Sequence, residues 1–371
     1  MRDNLIGMTS QARIAGALPR RVVFDMTFPD RNLGGSGLYA RSLLATLRAR
    51  ADVEVGEIRS DRAGLGRTSA WLAWGAAAQL RAKRAELLHC PNFVIPWTVP
   101  VPFVVTIFDL STRRFPRDHP LEWRAYERWV LPSRVRAAAR VIAISELTRR
   151  EVIRDYGARP ERVVTIHLGV DERFFNWTGA SKPAPGPQAN LLFPGAPVAR
   201  KNLELVLRAM AEAPPETALA KVHLQITGAT ADRFPQHAAR IAGLALSDRV
   251  SWLGTVPIER MPEVVAGADL CVYPSLYEGF GFPPLEAMAV GTPVVASNAS
   301  CLPEILGDAA LLVDPTDVSA FSEAVESALT NVELRNRLVA AGRDRAARYT
   351  WDRCAEQTLA VYRAAIAEGG P

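Results

Sequence analysis

The sequence is poor in the residues that build disulfides and metal centres. Its 371 residues include four cysteines, Cys90, Cys271, Cys301 and Cys354, and five histidines. No Cys-x-x-Cys pair occurs, and no cysteine stands at metal-ligand spacing from a histidine. We therefore expect four free, structural thiols, which suits a reducing cytoplasm.

Two further motifs are missing, and each absence argues against a class of chemistry. The chain contains no Asp-x-Asp and no His/Asp cluster at ligand spacing, so charge stabilisation by a bound metal is not expected. It also lacks Gly-x-Gly-x-x-Gly after its first strand, which a NAD-dependent oxidoreductase would need. We expect an activity that requires neither a metal nor another cofactor.

Long apolar segments are absent as well. No run approaches the roughly 18 uninterrupted apolar residues of a membrane span, and Met1–Arg21 lacks the apolar stretch of a signal peptide. With 49% apolar and 22% charged residues, the composition is that of a globular protein. The net charge is +5, but the basic residues are dispersed and form no recognised binding module, so nucleic acid is not an expected partner.

Short apolar runs alternate with helical patterns in two halves of the chain. The first half carries such runs at Val22–Phe24, Val53–Ile58, Leu87–Cys90, Phe103–Phe108, Val141–Ile144 and Val163–Ile166. The second half carries them at Leu191–Phe193, Val222–Thr227, Val250–Leu253, Leu270–Tyr273, Val294–Ala296 and Leu311–Val313. The alternation predicts an α/β protein with two doubly wound, Rossmann-like domains facing a central cleft.

The domain boundaries follow from a proline-rich break. Residues 176–190 hold three prolines within five residues and suit neither helix nor strand, so we assign them to a linker. Residues 1–175 form the N-terminal domain, with 1–20 as a poorly structured tail. Residues 191–350 form the C-terminal domain, and 351–371 a final helix. Because ligands bind beyond the carboxyl ends of strands in such sheets, the loops after strands are the candidate site.

The most informative loop runs from Glu278 to Glu286. Gly279 and Gly281 let the backbone approach a ligand, and Pro283 suits the first turn of a helix. The N–H groups of that helix would point at an anion in the cleft. Each carboxylate can accept two neighbouring hydroxyls of a sugar or ribose. A helix-capping Glu286 beside a surface Glu278 is the alternative.

Two adjacent cations, Arg200 and Lys201, follow the strand Leu191–Phe193 and its glycine, Gly195. At a helix start they oppose the helix dipole. A diphosphate in the cleft would reverse that penalty, and the cations would neutralise charge on a departing nucleotide diphosphate. Two solvated bases in a loop are the alternative.

Three features of the first half lie at corresponding strand ends. Gly34–Gly37 follows the first strand and precedes a helix, which suits phosphate or sugar contact as well as a simple tight turn. Asp109 and Ser145 each end a strand and would face the cleft, although such residues often serve only as caps.

Together these residues resemble glycosyltransferase family 4, whose members are retaining enzymes with two Rossmann-like domains, the GT-B architecture. The matching pieces are Gly34–Gly37, His89–Asn92, Val105–Asp109, Val141–Ser145, His167–Asp171, Arg200–Asn202, Glu278–Glu286 and Pro303–Glu304. They extend over nearly the whole chain, and the Glu-x7-Glu segment is the most specific of them.

The resemblance implies a role for each position. Glu278 would contact the donor sugar and Glu286 the ribose, while Arg200 and Lys201 would hold the diphosphate. The implied catalytic set is Glu278, Asp109, Arg200 and Lys201, and the implied donor-binding set is Gly34, Gly35, Gly195, Ser145, Gly279, Phe280, Gly281, Leu285 and Glu286. Such enzymes use a nucleotide diphosphate sugar without a metal, retain configuration by same-face attack, and return their last helix, here Trp351–Ile366, to the first domain.

One position departs from the family. Members often carry His-Asp where this chain has Phe108-Asp109, and that histidine would contact the donor sugar or the reacting centre. Because Asp109 is kept, we expect an active enzyme with altered sugar contacts.

The acceptor is expected at the N-terminal domain, where tryptophans stand beside arginines and lysines. Trp71, Trp74, Trp123 and Trp129 suit a membrane interface as well as core positions beside solvated arginines. We expect a saccharide or lipid-linked saccharide acceptor in bacterial polysaccharide or glycan synthesis, with mannose as the first donor sugar to test. The protein would be cytoplasmic, with an anionic surface on the inner face of the plasma membrane as a second partner.

Two other functions fit the same architecture. A nucleotide-sugar epimerase or hydrolase would need additional acid/base residues. A catalytically weak sugar-nucleotide-binding protein, suggested mainly by Phe108, would bind nucleotide without transfer. Product analysis with and without acceptor separates them.

Overall fold

A computed structural model describes residues 21–31, 34–60, 69–179 and 188–367. The strands are β1 (Arg21–Asp25), β2 (Glu54–Ile58), β3 (Leu87–Cys90), β4 (Phe103–Ile107), β5 (Arg140–Ala143), β6 (Val163–Thr165), β7 (Asn190–Phe193), β8 (His223–Thr227), β9 (Val250–Gly254), β10 (Leu270–Tyr273), β11 (Val294–Ser297) and β12 (Leu311–Val313). The helices are α1 (Gly35–Arg48), α2 (Ala76–Ala82), α3 (Ser111–Arg114), α4 (Leu121–Trp129), α5 (Leu131–Ala137), α6 (Glu146–Tyr156), α7 (Glu172–Phe175), α8 (Leu203–Glu212), α9 (Pro235–Gly243), α10 (Met261–Ala266), α11 (Phe282–Val290), α12 (Leu302–Leu306), α13 (Val318–Thr330), α14 (Val332–Ala346) and α15 (Trp351–Ala367). The expected tail at 1–20 and the centre of the linker, 180–187, lie outside the described residues.

Within the described residues, the strands form two six-stranded sheets. The first has the order β2-β1-β3-β4-β5-β6 and the second β12-β11-β10-β7-β8-β9, with every neighbouring pair parallel. The second order is that of a dinucleotide-binding sheet and reverses between β7 and β10. The first is the other common doubly wound order, extended by β6, and reverses between β1 and β3. The predicted α/β fold with two doubly wound sheets is confirmed.

The central strands are buried because helices cover both faces of each sheet. Every residue of β3, β4, β5, β10 and β11 is buried. These strands therefore read as nearly continuous apolar runs rather than as alternating patterns. The four cysteines are all buried and unpaired, as the sequence predicts.

Two helical segments of the first domain are irregular. The segment 121–139 divides into α4 and α5, because Pro132 lies in the first turn of α5 and cannot donate a backbone hydrogen bond to a continuous helix. The segment 71–85 begins with a π-helical turn, Trp71–Gly75, before α2 continues it to Ala82.

The final helix joins the two domains. It follows α14 of the second domain but packs against α1, β4 and β5 of the first. The Tyr362 hydroxyl lies 2.6 Å from His89 Nδ1, and His89 Nε2 lies 2.9 Å from Thr106 Oγ1. Burial lowers the pKa of His89 to about 3, so the ring is a neutral link between the hydroxyls. Gly169 leaves room for the start of α15, since a Cβ at this position would lie 2.4 Å from the Trp351 nitrogen.

Candidate active site

The candidate site lies where the second sheet reverses its order. The β7–α8 loop carries Arg200 and Lys201, and the β10–α11 loop carries Glu278. Because β7 and β10 are parallel neighbours, both loops leave the same edge of the sheet. The fold thus brings together two motifs that are far apart in the sequence.

Two left-handed residues shape the β7–α8 loop. Gly195 has φ +94° and donates its N–H to Thr227 Oγ1 at 2.9 Å. Asn202 has φ 58°, a conformation that asparagine tolerates better than most residues, and its amide donates to the Pro274 carbonyl of the facing loop at 3.2 Å. Between them, the 3-10 turn Ala199–Lys201 carries the two cations to the β10–α11 loop.

Glu278 is the centre of a buried ionic cluster. Its Oε1 lies 2.8 Å from Arg200 Nη1 and 3.1 Å from Lys201 Nζ, and its side chain is only 10% exposed. Lys201 Nζ also donates to the Tyr273 hydroxyl at 2.5 Å and lies 4.3 Å from the centre of that ring. Two cations and one carboxylate leave a net charge of +1, which attracts an anionic group.

The charges of this cluster hold the carboxylate ionised. Burial alone would raise the pKa of Glu278, but Lys201 and Arg200 outweigh it and lower the pKa to about 2. Burial also acts against the charge of Arg200, yet Glu278 and Asp109 raise its pKa. For Lys201 burial prevails and the pKa is lowered, although Glu278 opposes the change. Glu278 is therefore an acceptor of hydrogen bonds at neutral pH.

Arg200 and Lys201 are the two cations beside Glu278. Within the described parts of the chain, no group of histidine, cysteine, aspartate or glutamate side chains could hold a metal ion. Arg200 and Lys201 are the groups available to a diphosphate.

The β10–α11 loop needs glycine at two positions. A Cβ at Gly279 would lie 2.1 Å from the Phe108 carbonyl oxygen and 3.0 Å from Asp109 Cβ, both just after β4 of the first domain. Gly281 has φ +101°, a conformation that L side chains rarely adopt. One glycine permits close approach of the two domains, and the other permits the backbone turn into α11.

Tyr277 ties the same loop to the first domain. Its hydroxyl donates to Glu151 Oε2 at 2.5 Å and accepts the N–H of Leu110 at 2.9 Å. Its carbonyl accepts from Arg200 Nη1 at 3.2 Å. The residue beside Glu278 is thereby bonded to a helix and a loop of the other domain.

Glycine and aspartate of the first domain reach the site. A Cβ at Gly35 would lie 3.4 Å from the Phe282 ring at the start of α11, and Gly34 is the N-cap residue of α1. Asp109 is half-buried and accepts the Ser111 N–H at 2.8 Å. Its carboxylate helps to raise the pKa of Arg200. The structure therefore places the predicted Gly35 and Asp109 beside the second domain, and Gly34 next to Gly35 at the start of α1.

Three predicted donor-binding side chains do not face the cleft. The expectation that Ser145 faces it is wrong, because Ser145 is fully buried and its Oγ accepts the Thr148 N–H as the cap of α6. Leu285 is fully buried in the core. The buried Phe280 ring packs on Phe282, with ring centres 5.3 Å apart. All three residues are buried in the interior.

A cavity of about 220 Å³ adjoins the ionic cluster. It is lined by Leu192, Pro194, Gly195, Thr227, Gly228, Thr255, Val256, Met261, Val265, Pro283 and Glu286. Burial, helped by the Asp171 carboxylate, raises the pKa of Glu286 to about 7, although Lys201 and Arg173 oppose the change. A carboxyl group with a pKa near 7 ionises readily when ligand hydroxyls donate hydrogen bonds to it.

We expect Glu286→Gln to stabilise the protein at pH 8. The pKa of Glu286 rises from 4.5 to about 7 on folding, so the stability of the folded state falls as pH rises between these values. The ionised carboxylate therefore costs about 3 kcal/mol above pH 7, which the glutamine removes. Urea unfolding at pH 8 and pH 5 should show a gain that shrinks at the lower pH. The exposed Glu216→Gln is the matched control; equal gains for Glu286→Gln at both pH values would contradict the assignment.

Several site residues carried no recognisable sequence signal. Ser300 Oγ donates to the Glu278 carbonyl at 2.6 Å and accepts its N–H at 2.9 Å, while Cys301 Sγ donates to the same carbonyl at 3.1 Å. Burial lowers the pKa of His119, and the nearby Asp109 opposes the change. The position of Ser300 and Cys301 just before Pro303-Glu304 is the one clue the sequence offers.

Known proteins resemble this chain in sequence and in fold. Residues 33–174 match the family model Glycosyltransferase Family 4, and residues 179–345 match Glycosyl transferases group 1. The O-antigen chain mannosyltransferase B of Escherichia coli is 32% identical over 290 residues, which cover 76% of each chain. The sucrose-phosphate synthase of Thermosynechococcus elongatus superposes with a TM-score of 0.77 at 20% identity over 94% of this chain and 100% of that one. Anabaena Alr3699/HepE in complex with UDP-glucose gives 0.69 at 17% identity over 92% and 99%.

Proposed function

Since the chain belongs to glycosyltransferase family 4 and is an enzyme that transfers a sugar, we propose that it moves a hexose from a nucleotide diphosphate sugar to a saccharide or lipid-linked saccharide acceptor. The reaction proceeds without a metal ion and retains the anomeric configuration. Mannose is the first candidate for the sugar, because the E. coli relative is a mannosyltransferase.

The single observation that carries this proposal is the cluster of Glu278, Arg200 and Lys201 at the reversal point of the second sheet. Its +1 charge suits a diphosphate, and the ionised Glu278 suits sugar hydroxyls. The adjoining cavity with Glu286 suits the nucleoside, whose ribose offers two neighbouring hydroxyls.

The same groups account for the proposed chemistry. The bond between the sugar's anomeric carbon and the diphosphate oxygen breaks, while the acceptor oxygen bonds to that carbon on the same face. The acceptor's proton passes to the departing diphosphate. Arg200 and Lys201 stabilise the negative charge that develops on this leaving group. The Asp109 carboxylate of the first domain helps to raise the pKa of Arg200 and so favours its charged form.

Transfer assays on the full chain test this function. UDP-, GDP- and dTDP-hexoses are first screened for thermal stabilisation, and stabilising donors are then incubated with mannose oligosaccharides and EDTA. The expected product forms only with acceptor and carries the donor's anomeric configuration by NMR. Free or epimerised sugar formed without acceptor would point to a hydrolase or epimerase. Nucleotide binding without turnover would point to a binding protein. Loss of activity in EDTA would show a metal requirement.

An exposed apolar patch of the first domain supports a membrane-linked acceptor. The patch comprises Trp74, Trp97, Leu121 and Trp129, which are 73%, 49%, 75% and 74% exposed. The Trp97 N–H bonds to the Leu72 carbonyl of the turn that also carries Trp74. Arg134 of α5 donates to the Pro96 carbonyl at 2.7 Å, and α5 packs on α4, which carries Leu121 and Trp129. Trp71 and Trp123 do not belong to the patch, because Trp71 is buried and Trp123 packs on Phe28 and Phe93. Among the described residues, no helix has the length and apolar character to cross a membrane.

We expect the patch to bind vesicles that contain phosphatidylglycerol. Exposed tryptophans partition into the interface, and the Arg128 guanidinium, 5.1 Å from the Trp129 ring, adds attraction to anionic lipid. In flotation assays, Trp74→Ser/Trp129→Ser should lose most of the bound fraction. Leu253→Ser/Val332→Ser, which removes exposed apolar side chains of the second domain, should not. Wild-type protein that stays entirely in the soluble fraction would contradict membrane docking.

A further inference from the structure

A second cavity, of about 210 Å³, lies where α14 is followed by α15. The cavity wall contains four charged residues and one histidine: Glu304, Arg345, Arg348, Arg353 and His167. None of its lining residues belongs to the cavity at Glu286, so the two are separate.

The cavity has an excess of positive charge. Three guanidinium groups face one carboxylate, which leaves +2 before His167 is counted. Arg345 is committed to structure, since it donates to the backbone carbonyls of Glu304 and Ile305 at the end of α12. Arg348 and Arg353 are exposed and make no side-chain hydrogen bond or ion pair with any residue that the structure describes.

Within the described residues, nearby carboxylates do not pair with Arg348 or Arg353. Glu304 accepts the Glu146 N–H at 2.9 Å and lies 2.7 Å from His167 Nε2, so it joins the second domain to the first. Asp352 and Glu356 of α15 do not line the cavity and, among the residues that the structure describes, make no ion pair or hydrogen bond with Arg348 or Arg353. Arg348 and Arg353 are thus left to an external anion.

The cavity lies one layer of aromatic rings from the β10–α11 loop. The Phe280 ring centre is 6.2 Å from that of His167 and 5.7 Å from that of Tyr349, and both of these residues line the cavity. A ligand here would touch the outer side of residues whose inner side supports the loop that carries Glu278.

We propose that this cavity binds a small phosphate-bearing molecule, a phosphate monoester or inorganic phosphate, through Arg348 and Arg353. A phosphate group carries about −1.5 to −2 at pH 7, which balances the +2 excess. The planar guanidinium fork matches two phosphate oxygens at once, so arginine is well suited to this group. The site is distinct from the donor site and does not depend on which sugar is transferred.

Titration of the full chain with glucose 6-phosphate and with inorganic phosphate, at constant ionic strength, tests the proposal. Affinity is read from calorimetry and from thermal stabilisation. Arg348→Gln/Arg353→Gln should weaken binding at least tenfold, because it removes two charge-assisted hydrogen-bond donors. Arg150→Gln/Arg337→Gln removes two exposed arginines outside the cavity and should bind like wild type. Arg200→Gln, in the donor site, should also retain this binding.

Three results would overturn the proposal. Arg348→Gln/Arg353→Gln could bind as tightly as wild type, or Arg150→Gln/Arg337→Gln could lose affinity equally. Alternatively, neither soluble phosphate binds, while vesicles of phosphatidic acid bind wild type and not Arg348→Gln/Arg353→Gln, which would make a lipid headgroup the ligand. Circular dichroism and Arg348→Lys/Arg353→Lys, which keeps both charges and should retain part of the affinity, separate loss of the site from loss of the fold.

Discussion

Lys201→Met should lower the kcat of sugar transfer about 10²–10³-fold, with a smaller change in the KM for the donor. The ammonium lies 3.1 Å from Glu278 Oε1 and is held by the Tyr273 hydroxyl, so it is fixed before substrate binds. A preorganised charge acts most strongly where charge develops, which is on the departing diphosphate. The change should therefore appear mainly in kcat.

The controls for Lys201→Met separate catalysis from folding. Lys221→Met removes an exposed lysine and should retain wild-type kinetics. Removal of one partner from a buried ion pair also destabilises a protein, so urea unfolding is measured in parallel, and kinetics are taken where the variant is folded. Lys201→Arg keeps the charge and should recover part of the lost kcat. A kcat within threefold of wild type for Lys201→Met would contradict the leaving-group role.

The second large effect is expected for Gly279→Ala, which should lower kcat/KM about 100-fold. The new Cβ would lie 2.1 Å from the Phe108 carbonyl oxygen, a backbone atom of the other domain, so the loop or the domains must move apart. A displacement near 1 Å at the β10–α11 loop misplaces Glu278, and misplacement of this size typically costs about 10²-fold in rate. The protein should remain folded, because the clash lies between domains.

Gly243→Ala provides a matched glycine control. A Cβ at Gly243, the last residue of α9, would meet no atom within 4 Å. This variant should keep wild-type kcat/KM and unfold at the same urea concentration or a slightly higher one, since alanine favours the helical backbone. Equal activity of Gly279→Ala and Gly243→Ala would show that the close contact at Phe108 is not needed for transfer.

Much of the fold can be predicted from the sequence because local physics determines it. Apolar runs buried on both faces are recognisable without tertiary information, and β10 spans Leu270–Tyr273 as predicted. The helix predicted to begin near Pro283 begins at Phe282, because proline favours the first turn. The types of charge at the site were also predictable from the loops that follow strands.

Side-chain direction at strand ends could not be predicted in the same way. Asp109 and Ser145 stand in similar sequence contexts, and both accept a local backbone N–H in the structure. Asp109 stays half-buried at the domain boundary, whereas Ser145 is fully buried beneath the start of α6. The packing of neighbouring elements decides this difference, and the apolar periodicity of the sequence does not predict it.

By itself, the sequence determined the two parallel sheets and the loops that carry Glu278, Arg200 and Lys201, because apolar periodicity and turn residues act over short distances. Only the tertiary structure decided which groups meet. Contact of Gly279 with Phe108 and the bond from Tyr277 to Glu151 join residues more than a hundred positions apart. Such pairs depend on how two folded domains dock, which no local pattern of residues encodes.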